Sequence, residues 1–368
     1  MAPMSGKVSV AIVGLGFGAA FVPIYRDHPR VGKVGVCETD SRLLQAVADE
    51  HGIERRHATL DEVLAEDYDA VHLLTPVPLH VEQTLQVLAA KKHCACAVPM
   101  ATDLDDLRRI VRATQESGKN YMMMETGVYT REFLFAKDLY DKGELGPVTF
   151  LRGMYFQDLE GNYPLYWKAQ PPMHYATHVI GPILALMETR ATQVQCLGAG
   201  VLRPNIQQPG GNTFPLQTAL LKLEGTPAVA EVTRAWFQAA RMYTESFSVY
   251  GEQKGFEWQQ IENEDPVVFT MPPLDPAVRW RDPAPHRVKP PLRPELLPSE
   301  LHPSLDGGHG GSHPHLVHEF VSSMVEGRKA SIDEVTSANW CAPGICANTS
   351  SLLDGERVEV PRFSPSSA

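Results

Sequence analysis

Residues 8–19, VSVAIVGLGFGA, restrict the possible folds more than any other stretch of this chain. A continuous apolar run of this length is a buried strand, and it runs straight into a glycine-rich turn followed by a helical segment at 17–28. The spacing of Gly14, Gly16, Phe17, Gly18 and Ala19 fits GxGxxG/A. Gly14 allows the tight turn, Gly16 lets the backbone approach a pyrophosphate, and Ala19 permits close packing of helix on strand. The helix N-terminus adds N–H donors and a positive dipole end, so the unit is built to hold a dinucleotide.

Residues 31–125 repeat this strand–helix pattern. Further strands are expected at VGKVGVCE (31–38), AVHLLTP (70–76), HCACAVP (93–99) and NYMMME (120–125). Helices near 41–52, 59–66, 79–91 and 102–117 separate them. Such βαβ alternation implies a parallel sheet covered on both faces. Glu38, at the end of the second strand, is placed to accept from a ribose diol, and its charge disfavours a 2′-phosphate, which points to NAD. Arg42, one helical turn on, is the residue that would pair with such a phosphate. Thr75, Pro76 and His80 close another strand in the same crevice, with His80 read as a helix-cap residue. Val98 and Pro99 end the strand beside it.

From Gly146 onward the pattern changes. VTFLRGMYFQD, ATQVQCLGAGV, FPLQTALLKLEG, PAVAEVTRAWFQ and ESFSVYGEQKGFEWQQ alternate like half-buried strands joined by short turns. The fold class expected is α/β: a Rossmann nucleotide-binding domain at 1–128, and an α+β domain with a large antiparallel sheet at 129–368. The last helix, 332–353, is read as interrupted by Pro343 and as packing back on the first domain. Residues 265–315, rich in Pro, Gly and His, are too long for an ordinary loop and read as an ordered excursion, a subunit contact or a lid.

Net charge of −11 argues against a nucleic-acid surface. No apolar run approaches the ~20 residues that cross a bilayer. Six scattered cysteines read as reduced, buried thiols, and the expected setting is cytoplasmic. His309, His313, His315 and His318 are dense enough to suggest zinc or manganese. The only i, i+4 pair spans Gly-Gly-Ser, however, so no metal is expected.

These residues resemble the Gfo/Idh/MocA superfamily in VGLGFG (13–18), LTPVPLH (74–80), the strand ending on Pro99 and GELGPVTFLRG (143–153). Most members end that strand Glu-Lys-Pro, and the lysine helps move a proton at the sugar oxygen. Here the positions are Ala97, Val98 and Pro99. The chain is similar to the branch that also lacks the lysine, the NAD-dependent glycoside hydrolases of the α-N-acetylgalactosaminidase type. MMMETGVYTRE (122–132), HYATHVIGP (174–182), YTESFSVYGEQKG (243–255) and GGHGG (307–311) carry that likeness, with Ala97 in place of the branch's glutamate and Ala176 in place of its proline.

The resemblance implies catalytic roles for Tyr129, Tyr175 and His178, and substrate contacts from His174, Tyr243 and His309. Trp167 offers an aromatic face for a sugar ring. NAD would take a hydride from C3, a tyrosinate or histidine would remove the C2 proton, the C1 group would leave, water would add, and the hydride would return. Two other readings stay open, a dehydrogenase with net turnover of NAD on a sugar or cyclitol, and a non-catalytic sensor. A sugar or glycoside is the expected partner, and a homo-oligomer (dimer or tetramer) the expected assembly.

Overall fold

The computed structural model describes residues 6–207 and 211–365, and the chain divides into two compact units. The first holds 1–129, 292–338 and 363–368, and the second holds 130–291 and 339–362. The segment 292–338 therefore belongs with the nucleotide-type unit, and not with the second domain as its place in the sequence suggests. The last helix, Glu334–Leu352, begins in the first unit and continues in the second, running through Pro343 without the expected break.

Six parallel strands form the sheet of the first unit: β1 (Val8–Val13), β2 (Val31–Cys37), β3 (Arg55–His57), β4 (Ala70–Leu73), β5 (His93–Cys96) and β6 (Tyr121–Met123). Their order, β3-β2-β1-β4-β5-β6, is that of a doubly wound sheet with its switch point between β1 and β4. The three-residue edge strand β3 has no sequence signal, because RRH carries no apolar run. The helix expected over 17–28 is split into Leu15–Gly18, a 3₁₀ turn Ala19–Phe21 and Val22–Asp27, with Pro23 entering the last piece. The returning segment Gly308–Glu326, helical beyond a kink at His309–Gly311, lays His313 flat on Phe21, ring centroids 4.3 Å apart.

Nine strands form the sheet of the second unit. They are β7 (Val148–Phe156), β8 (Ala191–Ala199), β9 (Leu216–Leu223), β10 (Val229–Ala235), β11 (Thr244–Gly251), β12 (Lys254–Glu257), β13 (Val267–Thr270), β14 (Ala284–Arg287) and β15 (Val358–Glu359). The order is β14-β13-β12-β11-β7-β10-β9-β8-β15, antiparallel throughout except for β7 beside β10. The helix Thr177–Leu186 covers one face. It sits close because β7 offers Gly153: a Cβ there would lie 2.9 Å from Val179 Cβ. The excursion at 265–315 contains β13, β14, two 3₁₀ turns and the start of the long helix.

Candidate functional site

In the first unit the chemistry gathers at the C-terminal ends of the strands. Gly14 leaves β1 with φ of 91°, and a Cβ there would stand 2.7 Å from Leu74 O, so no other residue fits the turn. A Cβ at Gly16 would meet nothing within 4 Å, which leaves the backbone open to a phosphate. Glu38 follows β2. Its Oε2 accepts from the Leu15 amide at 2.8 Å, and its Oε1 accepts from the Thr39 and Asp40 amides at 2.7 and 3.2 Å. Burial alone would raise its pKa, but these donors hold it below the usual range, so the carboxylate is ionised at neutral pH.

His80 opens the helix His80–Ala89 and is buried. Its Nδ1 is 2.9 Å from Pro99 O and its Nε2 is 2.8 Å from Thr75 O. Carbonyl oxygens only accept, so both ring nitrogens carry protons and the ring is an imidazolium. Burial opposes that charge, yet Cys96 and the two carbonyls outweigh it and raise the pKa to about 9. The cation ties the chain after β4 to the chain after β5, including the Val98–Pro99 step.

The four histidines of the 309–318 segment are close in sequence, but they go to separate neighbours. His313 stacks on Phe21, and His309 lies edge-on to Phe17 at 5.9 Å. His315 faces Tyr129, and His318 Nδ1 is 3.1 Å from His28 Nε2. Among the described residues, no group of three His, Cys, Asp or Glu side chains is placed to hold a metal ion. Tyr129 belongs to this unit, its hydroxyl 2.8 Å from Ser331 Oγ.

The second unit assembles its own cluster on the helix-covered face of the sheet. Strand register sets Glu245 (β11), Tyr155 (β7), Arg234 (β10) and Gln217 (β9) in one row across four strands. Arg234 is fully buried, its guanidinium 3.4 Å from the Tyr155 ring centre and 3.5 Å from that of Trp236. It donates to Tyr155 O and to Gln157 Oε1, each at 3.2 Å. Burial lowers its pKa to about 10, so it stays cationic at neutral pH. His178, at the start of Thr177–Leu186, brings Nε2 to 3.9 Å from Glu245 Oε1, and the Tyr243 hydroxyl donates to the same carboxylate.

Tyr175 and Tyr155 each stand 5.5 Å from the His178 ring, while Trp167 meets Tyr175 at 4.7 Å and Trp236 at 5.6 Å. Burial first, then neighbouring phenol and carboxylate groups, raises the pKa of Tyr155 and Tyr243, so both phenols remain protonated. Gln217 anchors the group by accepting from the Met173 amide at 2.9 Å in the turn Pro172–Tyr175, which also carries His174. Of the residues expected to line the substrate site, the structure thus brings together Trp167, Tyr175, His178 and Tyr243. It places Tyr129 and His309 in the first unit, His309 against the glycine-rich turn.

Residues 8–125 match the family model GFO_IDH_MocA, described as an oxidoreductase family with an NAD-binding Rossmann fold. The first unit's nucleotide-type sheet is thus similar to that family's Rossmann fold. A "Glycosyl hydrolase family 109 protein" of Saccharopolyspora erythraea is 24% identical over 97% of this chain and 83% of its own. A second, of Phocaeicola vulgatus, is 23% identical over 98% and 85%. Among solved structures, a levoglucosan dehydrogenase in complex with NADH and L-sorbose superposes with a TM-score of 0.81 at 20% identity, covering 98% of this chain and all of that one. The matched segment is an NAD-binding Rossmann fold, and the residues present suit NAD: the open backbone at Gly16, the ionised Glu38 and the fixed ends of β4 and β5.

Tyr155, Arg234 and Trp236 carry no motif that marks them in the sequence, and Glu245 lies within the 243–255 stretch without being singled out there. The one signal available is an arginine at an inward position of a strand, with Val232 and Trp236 two residues either side. Alternation places it on a buried face, where a cation needs partners.

Proposed function

We propose that this enzyme processes a sugar, cleaving a glycoside by transient oxidation at C3, loss of the C1 substituent, addition of water and return of the hydride. The observation that carries this reading is Val98: a buried aliphatic side chain stands at the end of β5 where a net dehydrogenase of this family needs a proton-carrying lysine. NAD, when bound, supplies both the acceptor and the donor of the hydride. Glu38 orients its ribose, and the His80 imidazolium fixes the two strand ends beside it.

His178, backed by Glu245, serves as the base for the C2 proton. The phenols of Tyr155 and Tyr243 are protonated and donate to Gln157 and Glu245, so they are unsuited to the tyrosinate role. Trp167 and Tyr175 supply aromatic faces for the ring. His174 contributes from the turn before His178, and the family likeness assigns Tyr129 and His309 contacts to the substrate as well. The glycoside hydrolase names of the relatives support the reaction class. The six free, buried cysteines suit a reducing, cytoplasmic setting. No helix among the described residues is long and apolar enough to cross a membrane. The open face of the second sheet favours a homo-oligomer.

The test is to supply aryl glycosides and record both aglycone release and NADH absorbance. Aglycone release without NADH accumulation is expected, and stoichiometric NADH would establish the dehydrogenase reading instead. His178→Ala should lower kcat by about 10²–10⁴-fold. Unchanged turnover in that variant would remove His178 from the mechanism.

A further inference from the structure

Four residues in succession, Gly308 to Gly311, take positive φ values of 36°, 38°, 63° and 85°. Glycine is required at both ends of this run. A Cβ at Gly308 would lie 2.1 Å from His313 Cε1, and one at Gly311 would lie 2.4 Å from Leu305 O. The Gly311 amide donates to Gly307 O at 3.1 Å and closes the turn. Only His309 brings a side chain into the run, at φ 38° and ψ 62°, where a β-carbon is disfavoured. Glycine would suit the backbone better, so what the position gains is the imidazole.

That imidazole lies against the glycine-rich turn after β1. Its ring is edge-on to Phe17 at 5.9 Å and 5.7 Å from His313, whose own ring meets Phe17 at 5.5 Å. Phe17 stands between Gly16 and Gly18 and is 46% exposed, and His309 is half-buried. Beneath them, Ser312 Oγ and His313 Nε2 are buried with no hydrogen-bond partner. Orphaned polar atoms of this kind ask for a group that completes them. The anion supplies a second reason. A pyrophosphate brings two negative charges to a chain of net −11, and Gly14–Ala19 contains no lysine or arginine. Both N–H groups of His80 are already committed, to Pro99 O and Thr75 O. An imidazole has an N–H to donate in either protonation state.

We infer that His309 clamps the dinucleotide, donating to its pyrophosphate across the glycine-rich turn and slowing its release. His313, packed between Phe21 and Gly308, holds the turn that presents His309. A hydride that is taken and then returned needs the same cofactor at both steps, so slow release serves that chemistry. This use of the clamp rests on the closed cycle proposed above.

The test loads the full-length protein with NADH, chases it with excess NAD and follows nicotinamide fluorescence to obtain the release rate. His309→Ala and His309→Gly are expected to speed release by about tenfold or more, the worth of a hydrogen bond to a charged group. His309→Gln, which keeps an N–H donor, should release NADH more slowly than either. Without cofactor, His309→Gly should melt no lower than wild type, because it loses only the disfavoured backbone. ADP-ribose, which has the pyrophosphate and no nicotinamide, should lose affinity for His309→Ala by a similar factor. Unchanged release from His309→Gly, or unchanged ADP-ribose affinity, would overturn the clamp. Unchanged release together with a raised glycoside KM would overturn it too, and leave His309 to the substrate. Faster release from the variants of a protein that accumulates stoichiometric NADH would uphold the contact and sink only the closed cycle.

Discussion

His80 shows how one buried side chain can tie two strand ends together. Its two protons are required by two carbonyl acceptors, so its folded pKa, about 9, lies above the 6.5 of the free side chain. A proton bound more tightly in the folded state stabilises it fully below pH 6.5, and this contribution is lost as pH rises through 9. A shift of that size corresponds to about 3 kcal/mol for a fully buried group. His80→Gln keeps one hydrogen bond and drops the charge, and is expected to lower stability by about 2–3 kcal/mol and to weaken NAD binding. Calorimetry of the variant at pH 7 and pH 9.5 checks both points, because the gap from wild type should shrink at the higher pH. Sequence marks His80 as a cap in the cofactor crevice but not as a tie between strands, since its second acceptor, Pro99, is 19 residues away and only strand order brings it near.

Single elements are legible where periodicity is strong. The glycine turn, most of the alternation of strands and helices to residue 125 and the alternating strands after Gly146 follow from local pattern and match the observed elements, β3 and the split of 17–28 apart. Register is not legible: the row Glu245–Tyr155–Arg234–Gln217 depends on how four strands slide against one another, and no local pattern specifies that. The close seat of Thr177–Leu186 belongs to this scale as well. At Gly153 a side chain would drive into Val179 and Ile183, so Gly153→Val must push away the helix that carries His178. Overpacking of this kind costs about 1–3 kcal/mol. The variant is expected to lose more activity than Gly153→Ala, with the melting temperature falling in the same order. Equal activity in the two would show that the helix position does not govern the site.

Across the whole molecule, histidines make acid the vulnerable side. Burial lowers the pKa of His72 and His313 to about 3, and that of His28, His93 and His315 to about 4. These groups are neutral when folded and take up protons on unfolding. Their contribution is complete above pH 6.5 and falls as pH drops toward 4, by up to about 1.4 kcal/mol per pH unit for each group. Melting temperatures measured from pH 7 to pH 4.5 should decline steeply, and a flat profile would contradict the burial of these rings. Composition holds no hint of this, because 14 histidines look alike until their surroundings are known.

The return of residues 292–338 to the first unit has a temporal consequence. A ribosome delivers β1–β6 long before it delivers the helix that lays His313 on Phe21. The early sheet must therefore persist with one flank uncovered while strands β7–β14 are synthesised. Neither unit is a continuous piece of chain, and four crossings at 129/130, 291/292, 338/339 and 362/363 join them. Cutting at 129 would release a nucleotide-binding fragment without its covering helix.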